Sequence, residues 1–128
     1  MPIELTLLVW AAALTVVQVV IAASGGTLQV GLPRLAGNRE AMSEYEGWAG
    51  RAQRAHGNIL ESLVLFAILV LVAHATQKTN EMTALGAHLF FWARLVYVPV
   101  YLVGIPWLRT GVWGVSIVGL LLIFLQLI

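Results

Sequence analysis

Long stretches of this 128-residue sequence contain no ionisable side chain, and they constrain the fold more than any other feature. Residues 1–33 contain only Glu4, and residues 110–128 contain none. Two further apolar runs lie between these segments. A helix needs about 20 apolar residues to cross the roughly 30 Å hydrocarbon core of a bilayer. The pattern predicts four transmembrane helices, near 4–31, 45–75, 81–104 and 107–127.

The composition supports a membrane protein and excludes several other classes. Hydrophobic residues make up 60% of the chain and charged residues 10%, against about 45–50% and 25% in soluble domains. The net charge of +1 gives no electrostatic basis for binding nucleic acid. With no cysteine, no aspartate and only three histidines, no metal site is expected. We predict one domain, residues 1–128, that is all-α and folds as an antiparallel four-helix bundle because its connections are short.

The basic residues predict the orientation in the membrane. The first and third connections and the adjoining helix ends carry five arginines, whereas the second connection carries only Lys78. Cytoplasmic segments are enriched in Lys and Arg. Both termini are therefore expected on the non-cytoplasmic side, and the arginines on the cytoplasmic side: Arg34, Arg39, Arg51, Arg54 and Arg109.

A polar stripe follows the second predicted helix. At about 100° per residue, its four members fall within an arc of roughly 80°: Arg51, Arg54, Asn58 and Glu61. A charge at depth in a bilayer costs at least ~2.5–3.5 kcal/mol on insertion scales, so such side chains face protein or water.

The third helix carries a stripe of similar spacing, formed by Arg94, Tyr97 and Tyr101. Counting outward from the turn near Lys78 places Arg94 at the depth of Glu61. By the same count Tyr97 and Tyr101 lie level with Asn58 and Arg54, and Arg109, which begins the fourth helix, lies near the level of Arg51. The two stripes predict a polar funnel that opens to the cytoplasm, with its base closed by an ion pair between Arg94 and Glu61.

Structural interpretations of the same residues remain open. Arg51 and Arg109 also suit interfacial anchors, the Arg94–Glu61 pair a purely structural role, and the tyrosines an aromatic belt. The three histidines share no ligand spacing and are interpreted as structural: His56, His74 and His88. Three tryptophans suit interfacial or packing positions: Trp92, Trp107 and Trp113. Three glycines of the fourth helix suit close helix approach: Gly111, Gly114 and Gly119.

The charged and polar side chains of the predicted funnel suit a small zwitterion with excess negative charge. Guanidinium groups bind carboxylates through paired hydrogen bonds, and Glu61 would accept from an ammonium group. Glutathione, with two carboxylates, one ammonium group and a thiol, fits these charges. An apolar co-substrate could then reach the thiol from the bilayer.

The string Arg51-x-x-Arg54-Ala-His56-x-Asn58-x-x-Glu61 resembles the signature of the MAPEG family, the membrane-associated proteins of eicosanoid and glutathione metabolism. The later segment Arg94-x-x-Tyr97-x-x-x-Tyr101, followed by Arg109-Thr110, is similar to the family in a looser way. Ser62 stands where some eicosanoid-forming relatives carry an aromatic residue.

The resemblance implies a homotrimer that binds glutathione between neighbouring subunits. One subunit would supply Arg54, Asn58 and Glu61. Its neighbour would supply Tyr97, Tyr101 and Arg109, with Arg109 stabilising the thiolate. The remaining positions that the resemblance implies are Arg34 and Arg51 near the mouth, the structural Arg94, and Thr110, where some relatives carry serine.

Three functions follow as hypotheses. The first is a glutathione transferase or peroxidase acting on lipophilic electrophiles or lipid hydroperoxides. The second is a non-catalytic MAPEG-like protein that binds lipid or serves as a subunit of a membrane complex. The third is a small proton-coupled exporter, which would depend on Glu61 and is disfavoured by the expected pairing of Glu61 with Arg94.

Overall fold

The computed structural model describes residues 1–30 and 47–128. These residues form four helices, α1 (Ile3–Val30), α2 (Gly47–Ala75), α3 (Glu81–Val103) and α4 (Pro106–Leu127). All four are long and apolar enough to cross a membrane, which confirms the prediction of an all-α integral membrane protein. Their bounds agree with the predicted ones to within two residues. The predicted first connection lies outside the described residues.

The sequence marks the ends of α3 and the start of α4 clearly. The Asn80 side chain accepts hydrogen bonds from the backbone N–H groups of Met82 and Thr83, both at 2.9 Å, and the Thr83 hydroxyl accepts from the Asn80 N–H at 2.8 Å. This capping box satisfies donors that a helix start leaves unpaired. Gly104 ends α3 with φ of 85°, a left-handed conformation that glycine adopts without strain. Pro106 begins α4, a position that suits proline because the first N–H of a helix has no partner within the helix.

The two helices that carry the polar stripes lie at the centre of the bundle. Both α2 and α3 contact each of the other three helices, whereas α1 and α4 do not contact each other within the described ranges. The most extensive packing is between α3 and α4, followed by α1 with α2. Side chains that project inward from α2 and α3 are therefore shielded from lipid on two sides.

The tightest helix crossing lies between α3 and α4. A Cβ atom added at Gly119 would lie 2.5 Å from the carbonyl oxygen of Gly86 and 2.8 Å from the backbone nitrogen of Phe90. This confirms the prediction that Gly119 permits close approach. The same prediction is wrong for Gly111 and Gly114, where an added Cβ would meet no atom within 4 Å. These two glycines project from other faces of α4, since they lie about 80° and 140° around the helix from Gly119.

The core between the helices is apolar and rich in stacked rings. Phe66 of α2 and Phe90 of α3 stack with their ring centroids 4.2 Å apart and an angle of 25° between the rings. Leu7 of α1 and Ile123 of α4 complete this core and are fully buried. In a bilayer, close van der Waals contact between such side chains helps to hold the helices together.

Polar contacts join both chain termini to the turn between α2 and α3. The buried Thr83 hydroxyl donates to the Glu4 carboxylate at 3.0 Å, and the Asn80 side-chain amide donates to Gln126 at 2.9 Å. The Lys78 ammonium group donates to the carbonyl oxygen of Leu127 at 3.3 Å. We call this the terminal end of the bundle. The opposite end, with Arg51, Arg54, Tyr101 and Arg109, is the arginine end.

Candidate functional site

Arg94 is the most deeply buried ionisable side chain among the described residues, with 1% of its surface exposed. Its Nη1 donates to the Asn58 side-chain oxygen at 2.6 Å, and its Nη2 donates to the Ser62 hydroxyl oxygen at 2.7 Å. Both partners belong to α2, so the guanidinium group joins the two stripes. Charge-assisted hydrogen bonds of this length are among the stronger polar contacts in a protein interior.

These contacts correct the predicted ion pair between Arg94 and Glu61. Asn58 and Ser62 lie four residues apart on one face of α2, and Glu61 lies about 60° from Asn58 on the side away from Ser62. The face that meets α3 thus presents an amide and a hydroxyl, while Glu61 is exposed. No hydrogen bond or ion pair to Glu61 is formed from the parts of the chain that the structure describes.

The contact with Arg94 fixes the orientation of the Asn58 amide. Because the amide oxygen accepts from Nη1 of Arg94, the amide nitrogen of Asn58 points elsewhere and keeps two donor hydrogens. Ser62 is occupied in both directions, since its hydroxyl also donates to the backbone carbonyl of Asn58 or Ile59, each at 3.2 Å. The half-buried Asn58 therefore offers hydrogen-bond donors to any group that lies beside it.

Two tyrosines continue from Arg94 toward the arginine end. The Arg94 guanidinium carbon lies 5.0 Å from the centre of the Tyr97 ring, and the ring centroids of Tyr97 and Tyr101 are 5.3 Å apart. Both rings are buried. A cation over an aromatic face is attracted by the electron density of the ring. Arg94, Tyr97 and Tyr101 therefore form one continuous buried column along α3.

Tyr101 joins three helices at the arginine end. Its hydroxyl accepts a hydrogen bond from Nε of Arg54 on α2 at 3.3 Å, and its ring lies 5.0 Å from the guanidinium carbon of Arg109 on α4. The first contact confirms that Arg54 and Tyr101 lie at equal depth. It also forms within one chain, although the family resemblance assigns these two residues to different subunits of one binding site.

The remaining predicted residues are placed less centrally. Nε of Arg51 donates to the backbone carbonyl of Leu102 at 2.8 Å, so this arginine joins α2 to the end of α3. The Thr110 hydroxyl is exposed and donates to the carbonyl of Pro106 at 3.1 Å. Arg34 lies outside the described residues.

Exposure divides the site into a buried column and an open edge. Arg94, Tyr97 and Tyr101 are buried, whereas Arg54 and Glu61 are exposed along α2. Arg51, Asn58 and Arg109 are half-buried between them. The open edge thus combines guanidinium groups, amide donors and one carboxylate. An anionic ligand with one cationic group matches this set of charges.

Two contributors were missed by reasoning from the sequence. Ser62 was noted only as a difference from relatives, yet it supplies one of the two hydrogen bonds to the Arg94 side chain. Its position four residues after Asn58, on the same helix face, was the available signal. The other is Gln18 of α1, which is 3% exposed, has a side-chain oxygen with no partner among the described residues, and lines a narrow cleft with Ala55 and Leu102.

Comparison with known proteins gives one match. The model of the MAPEG family matches residues 4–128, which is nearly the whole chain and includes both polar stripes. No curated protein and no solved structure matches the chain.

Proposed function

Because the chain belongs to the MAPEG family, whose members have glutathione- or eicosanoid-related functions in membranes, we propose that it is a membrane-bound glutathione transferase or peroxidase. The thiolate of glutathione would attack a lipophilic electrophile or reduce a lipid hydroperoxide. The residues proposed to carry this function lie on three helices that meet at the arginine end.

The contacts of Tyr101 with Arg54 and Arg109 are the observation that carries the proposal. They bring two guanidinium groups, from α2 and α4, to opposite parts of one buried tyrosine. Two cations that contact the same tyrosine would both gain from an anion placed beside it.

The open edge of α2 would hold the rest of the peptide. The amide nitrogen of Asn58 is oriented to donate to a carboxylate or a carbonyl oxygen of the ligand, because Arg94 occupies the amide oxygen. The exposed Glu61 carboxylate would accept from the ligand's ammonium group, and Arg54 would bind a carboxylate. The charges of these side chains and their accessibility along α2 both suit glutathione.

Arg109 is assigned the role of stabilising the thiolate. A hundredfold increase in the ratio of thiolate to thiol requires about 2.7 kcal/mol of preferential stabilisation of the anion. A guanidinium group beside a poorly solvated sulfur is able to supply this amount. The thiol proton would leave to water. The sulfur would then bond to the electrophilic carbon, or two glutathione molecules would reduce a hydroperoxide to an alcohol and water while forming a disulfide.

We further propose that the protein acts as a homotrimer with its site toward the cytoplasm and both termini on the other side. Arg54 and Glu61 are exposed on a single chain although they lie within a membrane-spanning helix. Charged side chains at such depth need protein or water around them. A neighbouring subunit along α2 would provide this environment and close the open edge around the bound peptide.

The decisive experiment measures the ultraviolet absorbance of the thiolate when purified protein is mixed with glutathione near neutral pH. We expect an absorbance rise that saturates with glutathione and that Arg109→Ala abolishes. Lys78→Ala is the matched control, because it removes one positive charge at the terminal end and should leave the rise unchanged.

Binding measured by calorimetry on the same samples separates the possible results. Glutathione that binds without any absorbance rise would favour a non-catalytic member of the family. Absence of binding, in protein whose helicity is intact, would refute the proposed ligand altogether.

A further inference from the structure

An aromatic cluster lies on the surface formed by α1 and α3, away from the polar stripes. Trp92 of α3 packs edge-on against Phe91 with centroids 5.0 Å apart, and Trp10 of α1 lies 5.7 Å from Phe91 and 6.4 Å from Trp92. Both tryptophans are nearly half exposed. Trp92 and Arg94 are two residues apart and project to nearly opposite sides of α3. The cluster therefore does not belong to the site described above.

A histidine beside this cluster has a defined tautomer. The indole N–H of Trp92 donates to Nδ1 of His88 at 3.1 Å. An indole nitrogen only donates, so Nδ1 must carry a lone pair and the proton of the ring must be on Nε2. Among the described residues this Nε2–H group has no hydrogen-bond acceptor, and His88 is half-buried. The imidazole thus presents one donor within a membrane-spanning helix.

The depth of this donor follows from the helix geometry. His88 is seven residues from the start of α3, a rise of about 10 Å. The helix is about 34 Å long and the hydrocarbon core about 30 Å thick, so the Cα atom lies roughly 8 Å below the edge of the core. Side chains lean toward the start of a helix, which brings the imidazole closer to that edge. Ester carbonyl groups of phospholipids lie at this boundary.

Trp10 of α1 lies at nearly the same depth in the membrane as His88 of α3. The hydrogen bond between Thr83 and Glu4 places the starts of α1 and α3 level, and Trp10 follows Glu4 by six residues. Trp92 lies one turn deeper than His88, and the exposed Leu95 and Val96 lie deeper again. From the membrane edge inward, the surface thus offers a hydrogen-bond donor, then aromatic rings, then aliphatic side chains.

We propose that this surface, formed by Trp10, His88, Phe91 and Trp92, binds one ester-linked phospholipid in the leaflet of the terminal end. The Nε2–H group of His88 donates to an ester carbonyl, and the acyl chain packs across the indole rings toward the bilayer centre. The order of donor, rings and aliphatic groups matches the order of carbonyl and chain in the lipid. A free N–H in hydrocarbon gains most from such an acceptor, since water is excluded there.

The test compares two lipids that differ only in this acceptor. Purified protein is incubated in detergent with dioleoyl phosphatidylcholine or with its dialkyl ether analogue, which lacks both carbonyl groups, and the retained lipid is counted by native mass spectrometry. We expect about fivefold greater retention of the ester lipid, the size of one neutral hydrogen bond.

Matched variants assign the preference to His88. His88→Gln places an amide donor near the position of Nε2 and should keep the preference, whereas His88→Asn places its amide near Nδ1 and should remove it. Trp92→Phe removes the donor that fixes the ring and should weaken the preference. Trp113→Phe changes a similarly exposed tryptophan on α4 and should not affect it.

Two results would overturn the proposal. One is equal retention of the ester and ether lipids by the unchanged protein. The other is a preference that persists in His88→Asn. The same spectra record the number of chains per particle. A fall in that number on His88 substitution, without any lipid preference, would show instead that a second copy of the chain covers this surface.

Discussion

At the terminal end of the bundle, the buried polar groups pair with one another, as when Thr83 donates to Glu4. At the arginine end, the donors outnumber the acceptors that the described residues supply. Arg54 donates one hydrogen bond to the Tyr101 hydroxyl, and Arg109 contacts only the ring of the same tyrosine. The amide nitrogen of Asn58 has no acceptor among the described residues. A membrane protein gains nothing from unpaired donors in its own fold. Under the proposed function, a bound ligand or a neighbouring subunit would supply acceptors at the arginine end.

The two regions also differ in how their helices approach each other. Glycines bring the backbones of α3 and α4 into direct contact at Gly86 and Gly119, whereas at the arginine end the recorded contact between α2 and α3 is made by the side chains of Arg54 and Tyr101. The glycine crossing is a packing contact, whereas the arginine end holds the residues of the proposed site. Substitutions in the first should change the free energy of unfolding, and substitutions in the second should change ligand binding.

The largest expected effect is on the close helix crossing. Gly119→Ala would place a methyl group 2.5 Å from the carbonyl oxygen of Gly86, and backbone atoms have little freedom to move away. We expect a loss of about 3 kcal/mol in the free energy of unfolding, at the upper end for overpacked cores. Unfolding in detergent micelles, followed by circular dichroism, measures it.

Gly114→Ala is the control for this prediction, since it adds the same methyl group to the same helix where no atom lies within 4 Å. We expect its stability to be unchanged or slightly raised, because alanine favours helix formation more than glycine does. Equal effects of the two substitutions would show that the crossing is not the source of the loss.

The second prediction concerns Arg94, which contributes both to helix packing and to the proposed site. It joins α2 to α3, and it orients the Asn58 amide. Arg94→Leu leaves the side-chain groups of Asn58 and Ser62 without their partner, and we expect a loss of about 2 kcal/mol in stability. Ser62→Ala removes one partner only and should cost about half as much. Retention of full stability in Arg94→Leu would indicate that these hydrogen bonds only balance the cost of burying the charge.

The contrast between the two ends also explains what could be predicted from the sequence. The long apolar runs predicted all four helices, because a helix satisfies its backbone hydrogen bonds within one segment inside a bilayer. Residue counting along two antiparallel helices predicted that Arg54 and Tyr101 lie at the same depth, and the structure shows them in contact. It failed for Arg94, because equal depth does not specify which side of a helix faces the partner. Asn58 and Ser62 face α3 instead, and they lie about 60° and 100° around α2 from Glu61.

Pairing of Glu4 with Thr83 could not be predicted either. The two residues are 79 positions apart, and only the packing of α1 beside α3 brings them together. The Thr83 hydroxyl thus has two roles, one in the local capping box with Asn80 and one in the contact with Glu4.

The third prediction concerns Asn58 and distinguishes its hydrogen bond with Arg94 from its proposed hydrogen bond with the ligand. Asn58→Asp keeps an oxygen acceptor for Arg94 and removes the amide donors from the open edge. We expect stability to be unchanged while the affinity for glutathione falls about tenfold, equivalent to about 1.4 kcal/mol. Calorimetric titration measures the affinity. Should binding be unaffected, the oriented amide would have no role in holding the ligand.

The smallest effect is expected at Gln18, the one buried residue near the arginine end whose side-chain oxygen finds no partner among the described residues. A buried acceptor without a donor costs about 1–3 kcal/mol, and its cleft is lined otherwise by apolar side chains such as Ile21 and Val98. Gln18→Leu removes the acceptor while nearly preserving volume, so we expect the free energy of unfolding to rise by about 1 kcal/mol. The same variant in the presence of glutathione tests the comparison drawn above. If the gain in stability comes with weaker ligand binding, Gln18 belongs with the unpaired groups of the arginine end. If binding is unchanged, the unpaired oxygen is a packing defect of α1, and the excess of polar groups is confined to α2, α3 and α4.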